Sequence, residues 1–315
     1  MLRWDVDDRR PTLWTRAYVR GMWAHRDKEA FEGEEHTLGT ARRKQAEGDA
    51  PPTRWTRAAC RLTARRVAGM TVWTALPRGT GPRARVLYLH GGGYVHPLTP
   101  DYWRLVRALT RAPAEVVVPA YPLAPDATVD DVVAALLEVA RAACDDDLPL
   151  IVMGDSAGGA LTLVLTRHLC EGPGPRPALA VPLSPWLDAT LSDAEVDDLE
   201  ASDPMLAESG LRAAGRWWAR PRSPRDPLVS PVHAGLRGLP PVHLFIGDRD
   251  ILRPAVDDLA ERVRAEGSDL HVHEVPAMFH VWMTRFIPEA ARTRRELARL
   301  VGAAGTPAAA VRPGG

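Results

Sequence analysis

The sequence predicts an α/β fold: a mostly parallel sheet with helices on both faces. Three observations carry that expectation. Short, β-branched apolar runs alternate with helical stripes from about 58 to 303. Two of the runs end in glycine-rich turns, Gly91-Gly92-Gly93 and Gly154-Asp155-Ser156-Ala157-Gly158. The 315 residues are 45% hydrophobic and 25% charged, which suits a globular chain large enough to bury a substantial core.

The elements follow in order. Trp14, Tyr18, Val19, Met22 and Trp23 share one helical face, after Pro11. Residues 27–57 are polar, and Gly48 to Pro52 reads as a linker, so 1–57 form a separate helical segment. Residues 62–67 and 71–76 suit a strand pair around Gly69. Strands are expected at 85–90, 116–120, 150–153, 178–183, 242–246 and 270–275. Thr128, with Asp131 three residues later, caps a helix striped by Val129, Val132, Val133, Leu136 and Leu137. Further helices are expected at 157–170, 254–267 and 289–303. Residues 186–235 break the alternation and read as an insertion that holds a helix at 206–219. The Ala/Pro/Gly-rich tail, 304–315, is expected to fray.

Composition excludes several functions. A formal net charge of zero, 40 cations against 40 anions, argues against a nucleic-acid partner. It also argues against disorder, which goes with few apolar residues and a large net charge. The acids concentrate in 126–200, whereas the N-terminal segment is basic. Three widely spaced cysteines (Cys60, Cys144, Cys170) make neither a disulfide framework nor a zinc site. No window resembles a stable membrane span, and the N-terminus, which mixes Asp5, Asp7 and Asp8 with several Arg, lacks a signal-peptide core, so a cytoplasmic location is expected. A homodimer is left open.

The catalytic reading starts at Ser156. A G-x-S-x-G turn between a strand and a helix holds a serine in a tight, strained conformation, and its glycines let the backbones approach. A serine hydroxyl needs a base and an orienting acid. Asp250 follows the strand at 242–246, and His280 follows the strand at 270–275. Strand C-terminal ends are where open α/β sheets bind ligands. Asp248 competes for the acid's role; Asp257 and Asp258 fall inside a helix. His271 and His273 share one face of a strand, but no third metal ligand lies nearby in sequence, so they read as ordinary strand residues. Oxyanion donors are available in His90-Gly91-Gly92-Gly93 and in the Ala157 N–H at a helix N-terminus. His96 lies close after that loop.

Together these segments resemble the hormone-sensitive-lipase-like family of α/β-hydrolase esterases. The resemblance rests on HGGGY (90–94), YPLAP (121–125), GDSAGG (154–159), SPWLD (184–188), DPLVSP (226–231), GDRDIL (247–252) and FHVW (279–282). It implies an α/β-hydrolase fold over 58–303, capped by 1–57 and by an insertion at 186–225. It implies a nucleophile at Ser156, an acid at Asp250 and a base at His280. Gly92, Gly93 and Ala157 would be the oxyanion donors. The acid segment departs from the family by reading D-I-L rather than D-P-L. The implied activity is hydrolysis of small, uncharged, short-to-medium acyl esters or lactones through an acyl-enzyme, with no cofactor and no metal. Tyr94, Trp186, Phe279, Trp282 and Trp23 are candidate pocket residues, with Trp14, Met22, Trp217 and Trp218 as further ones. Amide hydrolysis and non-catalytic binding are the rival functions. The aromatic N-terminal helix could instead meet a membrane surface or a partner.

Overall fold

The computed structural model describes residues 1–144 and 147–306; the expected frayed tail lies outside the described residues from 307 onward. Nine strands form one sheet: β1 (Leu2–Val6), β2 (Cys60–Val67), β3 (Met70–Pro77), β4 (Ala84–Leu89), β5 (Ala114–Pro119), β6 (Leu150–Asp155), β7 (Pro177–Leu183), β8 (Val242–Gly247) and β9 (Leu270–Val275). Their spatial order is β1-β9-β8-β7-β6-β4-β5-β3-β2. β3 runs antiparallel to β2 and β5, and the other pairings are parallel.

Among the described residues there are ten α-helices, with three short 3₁₀ turns besides: α1 (Leu13–His25), α2 (Glu34–Glu47), α3 (Arg54–Ala59), α4 (Tyr102–Leu109), α5 (Val129–Ala143), α6 (Ala157–Glu171), α7 (Glu195–Glu200), α8 (Glu208–Ala219), α9 (Pro254–Glu266) and α10 (Pro288–Ala304). The period-two rule sorts the central strands between two cores. Val86, Tyr88, Ile151 and Met153 pack toward α4 and α10. Leu87, Leu89 and Val152 pack toward α5 and α6. A strand buried on both faces is apolar throughout, which explains the continuous runs in β4 and β6. The expected cap of α5 forms, with the Thr128 N–H donating to Asp131 Oδ2 at 2.9 Å.

Two elements depart from expectation. Residues 2–6, expected within a helical segment, form edge strand β1 beside β9, and Trp4 Nε1 donates to Glu274 at 2.8 Å. Five residues with two charges carry little local signal, so this strand depends on its neighbour. Helix α4 lies where no element was expected, and it buries Tyr102, Trp103, Leu105, Val106 and Leu109.

The N-terminal segment divides. Val19 and Met22 of α1 join the core beside α4 and α10, and Tyr18 stacks on Phe279 with ring centroids 6.0 Å apart. The 3₁₀ turn Asp27–Phe31 and α2 instead pack against α8 of the insertion. Arg42 pairs with Asp126, and Lys28 lies 3.5 Å from Glu200, so the basic segment meets the acidic one. Such solvent-screened pairs add little to stability. Among the described residues no helix is long and apolar enough to cross a membrane.

Candidate active site

Ser156 sits between β6 and α6 with φ 54° and ψ −121°, a strained conformation for a residue with a side chain. The turn is tight because glycines flank it. A Cβ on Gly154 would stand 2.6 Å from the Leu89 carbonyl, and one on Gly158 would stand 2.5 Å from the His90 carbonyl. The Ser156 N–H donates to the Leu183 carbonyl at 2.9 Å, which fixes the turn to β7. Ala157 opens α6, so its N–H is one of the first-turn donors without an intrahelical partner.

His280 follows β9, and its Nδ1 lies 2.8 Å from Asp250 Oδ2. Asp250 is fully buried, and its Oδ1 accepts from the Leu252 N–H at 3.1 Å. The competing Asp248 faces elsewhere and accepts the Ala277 N–H at 2.6 Å. His280, Ser156, Gly92 and Gly93 line one cavity of about 360 Å³ at the strand C-terminal ends. Asp155 holds the glycine loop to the turn: its Oδ1 accepts from Gly91 N–H at 3.1 Å and from Tyr88 Oη at 2.5 Å. Gly92 (φ 108°) and Gly93 (φ 62°) both need the left-handed region.

The alpha/beta hydrolase fold family profile matches residues 86–284, well over half the chain. An acetyl-hydrolase of Streptomyces hygroscopicus is 33% identical over 202 residues, covering 62% of this chain and 67% of the relative. An esterase of Acinetobacter venetianus is 30% identical over 194 residues, covering 60% of this chain and 63% of the relative. The match therefore spans about two thirds of the first relative and slightly less of the second. The crystal structure of a hormone-sensitive-lipase homologue, EstE7, from a metagenome library superimposes with a TM-score of 0.75 at 27% identity, covering 92% of this chain and 98% of that one. The chain belongs to the hormone-sensitive-lipase-like α/β-hydrolases. It is an enzyme of the carboxylic-ester hydrolase class.

Within this hydrolase the expected aromatic pocket residues lie elsewhere. Tyr94 stacks between Trp218 (centroids 4.1 Å) and Trp186 (5.4 Å), all three buried behind the glycine loop. Phe279 faces Tyr18, and Trp282 Nε1 donates to Thr293 at 3.0 Å. Trp23 and Trp14 are 43% and 58% exposed, outside the cavity. Met22 is in the α4/α10 core. None of these residues lines the space over Ser156. Large aromatic rings bury most area in packed layers, and the sequence does not show which layer takes them.

The cavity wall is instead mixed. Ala30, Phe31, Met205, Leu206 and Val281 supply apolar surface, and Lys44, His96, Asp101 and Arg285 supply polar groups. Arg285 Nη1 reaches Asp101 Oδ2 at 2.9 Å, which internally balances that pair. Burial, with Lys44 and Arg43 nearby, holds His96 down to about 3, so its ring is neutral. Burial and Arg43 likewise lower Lys44.

Asp203 is the residue that sequence reasoning missed. It belongs to the insertion and is fully buried. Its Oδ2 accepts from Ile251 N–H at 3.2 Å, and its Oδ1 accepts from Met205 N–H at 2.7 Å and Leu206 N–H at 3.1 Å. It thus ties the insertion to the Asp250 loop. Burial, reinforced by the Asp250 charge, pushes it up to about 7. Burial also raises Asp155 to about 6. At His280 burial opposes the imidazolium, but Asp250, Asp203 and Asp155 outweigh it and hold the pKa above its ordinary value.

Proposed function

We propose that the chain is a serine esterase that works through an acyl-enzyme, with Ser156 as nucleophile, His280 as base and Asp250 as orienting acid. The observation that carries this reading is one cavity shared by a strained Ser156 and by His280, whose other ring nitrogen is held by a buried carboxylate. His280 Nε2 takes the Ser156 proton as Oγ attacks the ester carbonyl. The Gly92, Gly93 and Ala157 N–H groups receive the oxyanion. His280 then protonates the leaving alcohol and activates water against the acyl-enzyme. Asp250 accepts the Nδ1–H and stabilises the imidazolium.

The glycine loop provides a graded test. A Cβ on Gly92 would stand 2.6 Å from the His96 carbonyl oxygen in a conformation side chains disfavour. Gly92→Ala is therefore expected to displace the donor and lower kcat by ~10²–10³-fold. Initial rates measured beside near-UV circular dichroism check this; unchanged kcat would remove Gly92 from the oxyanion site.

The substrate is proposed to be a small ester or lactone with an uncharged acyl group of short to medium length. A cavity of about 360 Å³ with Phe31, Met205 and Leu206 on its wall supports that size. Across p-nitrophenyl esters, kcat/KM is expected to peak between acetate and hexanoate and to fall at least ~10-fold by dodecanoate. A maximum at long chains, or a preference for a carboxylate-bearing acyl group, would contradict the assignment.

A further inference from the structure

The pair His271 and His273 takes no part in the ester chemistry, and neither residue lines the cavity over Ser156. The fold brings them the third group that sequence spacing lacked. His243 on β8 lies beside His271 in the parallel ladder, on the sheet face that carries α10. One ring nitrogen of each histidine lies within 4.8 Å of the other two. His243 Nδ1 and His273 Nε2 are 3.0 Å apart.

Carboxylates hold the outer nitrogens. Asp5 of β1 lies 2.9 Å from His271 Nε2, and Glu296 of α10 lies 3.1 Å from His273 Nδ1. A carboxylate on one ring N–H fixes the tautomer and leaves the other nitrogen as the acceptor, the usual outer support of a metal-bound histidine. His271 Nδ1 and His273 Nε2 are therefore the acceptor nitrogens, the latter facing His243 Nδ1. His271 Nδ1 has no hydrogen-bond partner among the described residues. The proton between His243 Nδ1 and His273 Nε2 belongs to His243, and moving it to His243 Nε2 exposes a third lone pair. Phe245 stacks on His273 at 4.3 Å and walls the site on one side. A cleft of about 430 Å³ reaches His273; six carboxylates on its wall, Asp5, Asp8 and Glu296 among them, outnumber Arg9, which pairs with Asp7, and Arg292, so the way in is acidic on balance.

We propose that His243, His271 and His273 bind a divalent late first-row transition-metal ion of the zinc type. Three neutral imidazoles and a water match the ligand preference of such an ion, whereas magnesium and calcium favour oxygen donors. The ion would join β8, β9, β1 and α10 at the sheet edge, apart from the ester site.

Calorimetric titration of Zn²⁺ into the untagged, chelator-treated full chain tests the site. One ion per chain is expected, with Kd at ~1 μM or tighter. His243→Ala is expected to weaken binding at least ~100-fold, and Glu296→Gln by ~10–100-fold. Ester turnover and near-UV circular dichroism should be unchanged in both variants. Co²⁺ should give the intense visible bands of a four-coordinate site in the parent and not in His243→Ala. No stoichiometric binding would overturn the proposal. So would equal affinity in the parent and in both variants, since the ion would then sit elsewhere. Glu296 is nearly half exposed, so Glu296→Gln keeps the test usable if His243→Ala fails to fold.

Discussion

Ser156→Ala is expected to lower ester turnover by at least ~10³-fold, and by as much as ~10⁶-fold if oxyanion stabilisation and binding alone remain. The size follows from how completely the site depends on one oxygen. Ser156 is held with φ 54° by the Leu183 carbonyl on one side and by α6 on the other. The neighbouring Asp155 faces the glycine loop and Tyr88. Among the described residues Ser184 also has a positive φ, 42°, but its Oγ accepts from the Val281 N–H at 3.2 Å and it does not line the cavity. KM should change little, because alanine removes the nucleophile and leaves the wall of the cavity in place. Steady-state kinetics with p-nitrophenyl acetate check this; a loss under tenfold would place the nucleophile elsewhere.

Asp250→Asn is expected to lower kcat by about 10⁴-fold with the fold intact. Asparagine can offer its amide N–H to His280 Nδ1, which stabilises the wrong tautomer and supplies no charge for the imidazolium. The pH profile tests the same pairing independently. The base must be neutral to accept the serine proton, so kcat/KM falls as pH drops through the His280 pKa. That pKa is held above its ordinary value against burial by Asp250, then by Asp203 and Asp155. The acid limb of the parent should therefore lie above pH ~6.5, and Asp250→Asn should move it downward. A limb that stays in place while kcat falls would show that another acid sets the histidine. Asp203, buried beside it and raised to about 7, is the first to examine.

The placement of the proposed triad was more legible in the sequence than the cavity lining. Ser156 and Asp250 follow strongly apolar strands and His280 follows an alternating one, so the parallel sheet brings their loops to one edge. Gly92 and Gly93 were readable for the same reason. The lining was not readable, because it depends on which face of an irregular segment turns inward. Trp186 and Trp218 stack with Tyr94 behind the glycine loop, while the less conspicuous Ala30, Phe31 and Leu206 face the cavity. Asp203 gave no local signal, since its partner Ile251 lies 48 positions away. Strand β1 was hidden by its length and its charges. His243 is silent alone and gains meaning only from the ladder that places it beside His271.

The most direct test of the central claim is mass spectrometry of the chain after reaction with a fluorophosphonate. The account predicts one adduct, located on Ser156, that is absent from Ser156→Ala and forms far more slowly in Asp250→Asn. An adduct on another residue, or none in a preparation that hydrolyses esters, would contradict it.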